Sequence, residues 1–194
     1  DAWGYTGRVG FVYKATEDTV VGAAYTSKSH LADMTGRATL TAIDGVAGQI
    51  PLAGKIRIRD FQMPATLNLG VSQRVTDRLM LAADVSQVYW KNVMKDIKVA
   101  FEADGGGDLQ IRLPQDYKDQ TILAVGGAYQ VNEQLTLRAG LRYAAQALRS
   151  STLFAVIPAT PRKHLSAGLG YAFSPASRLD FAWSHAFSDG MDNS

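Results

Sequence analysis

The chain has 194 residues, 46% of them hydrophobic, and its 20 basic side chains nearly balance its 18 acidic ones. Because the basic residues are spread along the chain and matched by acids, the sequence argues against nucleic-acid binding. It has no cysteine and only three scattered histidines, so no metal site and no cofactor is expected. No segment approaches the roughly 18 consecutive apolar residues of a membrane helix, so a membrane-spanning role would require β-strands.

Alternating apolar and polar residues, bounded by turn residues, predict eight strands. Their predicted limits are 3–15, 19–33, 55–73, 78–92, 118–131, 134–149, 163–174 and 177–188. Short connections alternate with long ones at 34–54, 93–117 and 150–162. This rhythm is typical of outer-membrane barrels, in which periplasmic turns are short and outer loops are long. We therefore predict an all-β, antiparallel transmembrane β-barrel in the bacterial outer membrane.

The two faces of each predicted strand differ in a way that favours lipid on one side and water on the other. In "KHLSAGLGYAFS" the apolar residues Leu165, Leu169, Tyr171 and Phe173 alternate with small or polar ones. A soluble β-sandwich also alternates, and it remains an alternative that predicts solubility without detergent. Charged residues opposite an aromatic-ended apolar face suit a barrel with a wet lumen better. Pro64 lacks a ladder donor, so we expect a kink in the third strand.

Several polar residues lie at the alternate strand positions that should face the lumen, and they are candidates for a ligand pocket. They are Arg8, Asp60, Asn68, Asp84, Arg138, Arg142 and Asp180. An arginine in a low-dielectric pocket could hold a carboxylate through charge-assisted hydrogen bonds. Alternatively, the same charges pair across strands and fill the lumen.

The connection 34–54 is unusually apolar for an exposed loop. Its large apolar residues are Leu40, Ile43, Val46, Ile50 and Leu52. They could form an apolar surface that binds a hydrophobic ligand, or they could pack against other loops as a short amphipathic helix.

The segment "YKDQTILAVGGAYQVNEQLTLRAGLRYAAQALRSSTLFAVIPATPRKHLSAGLGYAFSPASRLDFAWSHAF", with "GRVGFVYKATEDTVVGAAYTSKSHLADMTG" upstream, resembles the FadL/TodX-type outer-membrane transporters of long-chain fatty acids and aromatic hydrocarbons. The most specific parts are "YKD" and "IPATPRKHLSAGLGYAFS". The resemblance implies part of a fourteen-stranded barrel, with residues 1–194 as one partial barrel domain holding the sixth to thirteenth strands. The N-terminal hatch, the first five strands and the last strand would lie elsewhere in the parent protein.

The resemblance also implies passive uptake of a hydrophobic small molecule, captured first at apolar outer loops that match 34–54. The family's pocket has a basic residue shortly before the "YKD" position, where this chain has Leu113 beside Arg112; Lys118 lies within the motif itself. That departure would allow a neutral hydrocarbon in place of a carboxylate.

Other function classes are less well supported by the residues. No serine and histidine share the lipid face as an outer-membrane lipase would need, so no enzyme is expected. The expected partners are a hydrophobic small-molecule ligand, outer-membrane lipids and lipopolysaccharide, around a monomeric barrel that binds no nucleic acid. The competing function is a non-transporting structural or adhesive barrel.

Overall fold

The computed structural model describes residues 2–44, 48–147 and 161–188. Its main feature is one antiparallel sheet of eight strands. These are β2 (Arg8–Lys14), β3 (Thr19–Thr26), β7 (Thr66–Arg74), β8 (Leu79–Val88), β11 (Gln120–Gln130), β12 (Leu135–Ala144), β13 (Lys163–Ser174) and β14 (Ser177–Phe187). Each strand pairs with the next in chain order, from β2 at one edge to β14 at the other. The predicted eight-stranded antiparallel wall is confirmed, and among the described residues no second sheet packs face to face on it as in a sandwich.

The strand ends form two further edges of the sheet, and these differ in character and fix its orientation. Short turns join β2 to β3, β7 to β8, β11 to β12 and β13 to β14 along one edge, here called the inner edge. The connections 27–65, 89–119 and 145–162 leave the opposite, outer edge. Since short turns are periplasmic in outer-membrane barrels, the outer edge faces the outside.

Two of the three long connections, 34–54 and 93–117, were wrongly predicted to be loops, with a short helix as the alternative for 34–54. Residues 150–160 of the third connection lie outside the described residues. The first two connections contribute strands to a second antiparallel sheet, here called the outer sheet. Its strands are β5 (Met34–Asp44), β6 (Gly48–Arg59), β9 (Asp96–Ala103) and β10 (Asp108–Pro114), in the order β10-β9-β6-β5. Gly106 and Gly107, both with positive φ, form the tight turn between β9 and β10.

The predicted third strand, 55–73, was wrong as a continuous element. Its first part belongs to β6, and residues 60–65 carry no strand before β7 begins. Asp60 has a φ of 56°, and Pro64 lies within the interruption, where the sequence predicted a kink. Asp60 therefore does not lie on the barrel wall, and its carboxylate accepts a hydrogen bond of 2.8 Å from Lys98 in the outer sheet.

The first two strands are also shorter than predicted. Residues 3–15 divide into β1 (Gly4–Tyr5) and β2, and β1 pairs with β4 (His30–Leu31) beyond the end of β3. The ring of Tyr5 stacks on His30 with centroids 5.1 Å apart. The predicted fourth strand, 78–92, is also too long, because β8 ends at Val88 and Trp90 lies in a 3₁₀ turn, Trp90–Asn92.

Cross-strand register places most of the large apolar residues of the eight strands on one face, here called the outward face. It carries Val9, Phe11, Tyr13, Val21, Ala23, Tyr25, Leu67, Leu69, Val71, Leu79, Leu81, Ala83, Val85, Leu123, Val125, Tyr129, Leu135, Leu137, Ala139, Leu141, Tyr143, Leu165, Ala167, Leu169, Tyr171, Leu179, Phe181, Trp183 and Phe187. Such a continuous apolar face, with aromatic residues toward strand ends, is the lipid-facing side of a barrel.

Two threonine–glutamine pairs lie at the borders of the outward face. The Thr19 hydroxyl donates to Gln73 Oε1 at the inner edge, and the Thr121 hydroxyl donates to Gln87 Oε1 at the outer edge, both at 2.6 Å. Each pair satisfies polar groups across neighbouring strands where the apolar band ends.

Three of the four inner turns share one pattern of hydrogen bonds. Thr16 Oγ1, Thr76 Oγ1 and Asn132 Oδ1 each accept the backbone N–H groups two and three residues later, at 2.8–3.2 Å. Serine, threonine and asparagine favour turns for this reason, since their side chains replace a backbone acceptor. The turn signals in the sequence therefore had a direct physical basis.

Candidate ligand-binding surfaces

The outer sheet has one apolar face and one charged face. Register pairs Leu40 with Leu52, and Ile56 with Phe101. The apolar face comprises Met34, Gly36, Ala38, Leu40, Leu52, Ile50, Gly54, Ile56, Ile58, Ile97, Val99, Phe101, Ala103, Leu109, Ile111 and Leu113. Phe101 is 4% exposed, whereas Leu52 and Leu109 remain 39% and 46% exposed. The face is therefore an accessible apolar surface fixed on a hydrogen-bonded sheet.

Three of the five predicted capture residues lie on this apolar face. They are Leu40, Ile50 and Leu52, which approach one another because β5 and β6 form a hairpin. Ile43 pairs through its backbone with Gln49, and Val46 lies outside the described residues.

Most of the apolar face was missed by the sequence prediction. Ile56 and Ile58 were assigned to a barrel strand, and the residues of 93–117 were assigned to a loop. The alternation in "KIRIR" and "LQIRL" was the signal that could have found a second sheet.

The opposite face of the outer sheet is held by ion pairs. Arg37 pairs with Asp104, and the Arg112 guanidinium lies 2.5 Å from an Asp96 carboxylate oxygen. The hydrogen bond from Arg112 holds the pKa of Asp96 below its usual value, and Asp96 raises the pKa of Arg112. Arg112, a predicted pocket residue, is thus placed off the barrel wall with its charge already matched.

The "YKD" motif lies where β11 begins. Tyr117 packs edge to face on Trp90 with centroids 5.8 Å apart, and burial raises the pKa of its hydroxyl. Asp119 accepts the backbone N–H of Lys91 at 2.9 Å. Lys118, another predicted pocket residue, has an exposed side chain, and its backbone N–H donates to Ala147 at 2.8 Å. The motif therefore anchors the connection to the outer edge of the wall.

On the lumen face, the structure brings together two residues that the sequence assigned to the lumen, Arg138 and Asp180. Arg138 Nη1 lies 2.9 Å from Asp180 Oδ1, and Arg178 Nε lies 2.9 Å from Asp180 Oδ2. The three side chains lie against Gly170, where a Cβ atom would collide with the ends of Arg178 and Asp180. Arg138 borders a hollow of about 570 Å³ on this face. Its charge is committed to Asp180 rather than free for a ligand.

The other polar lumen candidates lie nearer the outer edge. Asn68 Oδ1 accepts a hydrogen bond of 2.7 Å from the Ser86 hydroxyl, and the Asp84 carboxylate lies against Gly70. These contacts match the interpretation that lumen side chains pair across strands.

The remaining basic candidates are exposed on the lumen face. Arg142 pairs in register with Ala124 and His164, and Arg8 pairs with Thr26 on the edge strand. The structure does not bring Arg8, Arg112, Lys118 and Arg142 together into one cationic pocket.

In the part of the chain that the structure describes, no helix has the length and apolarity needed to span a membrane. Across the same residues, no group of three or more histidine, cysteine or acidic side chains could hold a metal ion.

An antiparallel wall with one lipid-compatible face, one polar face, short inner turns and long outer connections defines an outer-membrane β-barrel protein. Comparison with known proteins gives the family. The family described as "Outer membrane protein transport protein (OMPP1/FadL/TodX)" matches residues 1–192, so the chain belongs to it. The predicted resemblance and the outer-membrane localisation are confirmed.

Individual relatives agree with this assignment. The chain is 31% identical over 184 residues to outer membrane protein P1 of Haemophilus influenzae, covering 95% of this chain and 38% of that protein. It matches the crystal structure of the Pseudomonas putida toluene transporter TodX with a TM-score of 0.81 and 42% identity, covering 94% of this chain and 44% of TodX. For the Ralstonia pickettii toluene transporter TbuX the TM-score is 0.79 and the identity 39%, over 96% and 43% of the two chains. The chain thus spans less than half the length of these relatives.

Proposed function

We propose that the protein containing this chain takes up hydrophobic small molecules across the outer membrane by passive diffusion, without enzymatic chemistry. The observation that carries the proposal is the exposed apolar face of the outer sheet, outside the outer edge of the wall. A hydrophobic solute gains about 0.8 kcal/mol for each methylene removed from water, so such a face can concentrate it before entry. Long-chain fatty acids and aromatic hydrocarbons are the two candidate substrates.

The ion pairs of the structure favour a neutral hydrocarbon over a fatty acid. A carboxylate needs a basic partner within a pocket, but Arg112 is paired with Asp96 and Arg138 with Asp180. The other basic candidates, Arg8, Lys118 and Arg142, are exposed and are not gathered into one pocket. Recruiting Arg112 would leave Asp96 without its partner, and recruiting Arg138 would leave Asp180 with Arg178 alone, so the lost ion pair offsets the gain from the new contact. Two solved relatives with 42% and 39% identity are toluene transporters by name, in line with this preference.

The remaining partners follow from the same proposal. The apolar outward face would contact outer-membrane lipids and lipopolysaccharide around a monomeric barrel.

The test is the initial rate of labelled toluene uptake by cells that express the full-length protein. The double variant Leu40→Gln and Leu52→Gln places polar amides at a cross-strand pair on the apolar face, so we expect the rate at low toluene to fall several-fold. Lys55→Gln, on the charged face of the same strand as Leu52, is the matched control and should retain the wild-type rate. Barrel folding is checked by the heat-dependent mobility shift on gels.

Two results would contradict the proposal. A folded double variant with the wild-type rate would remove the role of the outer sheet in capture. A full-length protein that neither raises toluene uptake nor is stabilised by toluene or long-chain fatty acids would be a structural or adhesive barrel.

A further inference from the structure

The outward face of the eight-stranded wall carries one charge among its described residues. Lys163 is the single lysine, arginine, aspartate or glutamate with outward register, and it pairs with Tyr143 on β12 and Phe187 on β14. A charge on a lipid-facing surface is costly at depth and falls in cost toward the interfaces. The depth of Lys163 in the membrane and the groups around its ammonium therefore decide whether its charge is tolerated.

Lys163 is the first residue of β13, at the outer edge of the wall. Its two register neighbours are aromatic, and Thr121 and Gln87 mark the polar border of the outward face on nearby strands. Aromatic rings favour the level of the lipid headgroups. The ammonium group is thus placed at the headgroup level of the outer leaflet.

Below Lys163 the outward face is hollowed. A depression of about 450 Å³ is bordered by Lys163, Tyr143, Phe187, Leu123 and Leu141. A second depression, of about 490 Å³, adjoins it and shares Val125 and Leu141. Its floor is lowered by small residues, Ala83, Gly127 and Ala139. The two together form a trough of almost wholly apolar lining that leads from the lysine toward the middle of the membrane.

We propose that this trough is a binding site for a phosphate-bearing acyl lipid of the outer leaflet, of the lipid A type. The Lys163 ammonium would hold a phosphate through a charge-assisted contact, and one acyl chain would fill the trough. Charge complementarity selects this occupant, because an apolar trough with one cation at its outer end matches a lipid with an anionic head and a hydrocarbon tail. A lysine that merely extends into water would show no preference among headgroups.

The site is distinct from hydrocarbon uptake. It lies on the lipid side of the wall, whereas the proposed capture surface lies on the outer sheet. Toluene uptake and lipid binding can therefore fail separately, and both are measured on the same variants.

The experiment uses the full-length protein, delipidated in detergent micelles, with native mass spectrometry to measure bound lipid. The probes are lipid A and fully dephosphorylated lipid A. We expect lipid A to bind more tightly, and Lys163→Gln to weaken it about fivefold, the change given by loss of one partly screened ionic contact of about 1 kcal/mol. Binding of the dephosphorylated probe should be unchanged. Lys91→Gln, an exposed lysine outside the wall, is the charge control.

A second pair of variants tests the trough itself. Ala139→Leu fills its floor and should weaken both probes equally, whereas Ala167→Leu places the same side chain at the register partner on β13, outside the trough. Retained heat-dependent mobility shows that each variant is folded. Equal binding of the two probes to the wild type, or unchanged lipid A binding by Lys163→Gln, would overturn the site and leave only non-selective lipid contact.

Discussion

Charged side chains on the lumen face lie against glycines of their own sheet. Asp84 lies over Gly70, and Arg138, Arg178 and Asp180 lie over Gly170. Sequence parity predicted the side of the wall on which Asp84, Arg138 and Asp180 lie, because side chains alternate along a strand. Parity could not predict the pairs, because Asp180 meets Arg138 through the register of three strands. The sequence thus yields the face of a residue, while the partner depends on long-range pairing.

The Thr76 hydroxyl in one inner turn gives a testable prediction on stability. Replacing Thr76 with alanine removes the acceptor for the N–H groups of Arg78 and Leu79. Each hydrogen bond contributes about 1 kcal/mol net, so we expect Thr76→Ala to lower the free energy of unfolding of the full-length protein by about 1–2 kcal/mol. Urea unfolding in bilayers measures it, and Thr76→Ser should stay near wild type. Equal loss in both variants would show that the hydroxyl is unimportant.

The ion pair of Arg112 and Asp96 gives a prediction on pH. Since the folded state lowers the pKa of Asp96, the pair stabilises the outer sheet above the usual carboxyl pKa and loses its effect as pH falls through the lowered value. Arg112→Gln should raise the pKa of Asp96 toward its usual 3.8. Carboxyl carbon NMR of aspartate-labelled protein measures the titration.

Arg37→Gln is the control for that titration, because it removes the partner of Asp104 on the same sheet. It should leave the titration of Asp96 unchanged. An Asp96 that titrates identically with and without Arg112 would show that the pair does not form in solution.

At the scale of elements, the outer sheet was the largest failure of sequence reasoning. Glycines, Pro51 and a run of small residues interrupt the alternation in 34–54, so its strands resembled a loop. Of its two strands, β6 is stabilised by pairing with β9, more than thirty residues away in the sequence, which local patterns do not report. The eight wall strands were predictable because each carries its own alternation of apolar and polar residues and is bounded by turn residues.

Two glycines of the outer sheet make a matched pair of variants. A Cβ at Gly54 would collide with the Glu102 carbonyl oxygen and lie 2.7 Å from Phe101 Cζ, whereas a Cβ at Gly36 would meet only Ile56, at 3.7 Å. We expect Gly54→Ala to destabilise the outer sheet by about 1–3 kcal/mol and Gly36→Ala to have little effect. Hydrogen exchange of β6 and β9 measures the difference. Equal protection in the two variants would show that β6 and β9 do not pack as closely as described.

At the scale of the molecule, the wall has two unpaired edges. Every residue of β2 and of β14 is exposed. On the side of each strand that faces away from the wall, the backbone groups have no neighbouring strand among the described residues. An unpaired backbone group in lipid costs several kcal/mol, so a stable wall requires further strands. Less than half of the length of the relatives is present, which agrees with this requirement.

The isolated chain should therefore behave differently from the full-length protein. In micelles, residues 1–194 alone are expected to aggregate and to show no heat-dependent mobility shift, because β2 and β14 present open edges. The full-length protein, folded in the same micelles, is the control and should show the shift. A monomeric, heat-modifiable species formed by the isolated chain would contradict this expectation.

The threonine–glutamine pairs at the two borders of the outward face have a consequence for where the protein can reside. Thr19 with Gln73 and Thr121 with Gln87 set the height of the apolar band, and each pair must remain at a water-accessible depth. In a thicker bilayer one pair would be drawn into hydrocarbon, or the bilayer would have to thin around the wall. Because the bacterial outer membrane is thinner than average, the limited height of the apolar band matches the protein to that membrane. Insertion into a thicker membrane would carry a hydrophobic-mismatch cost.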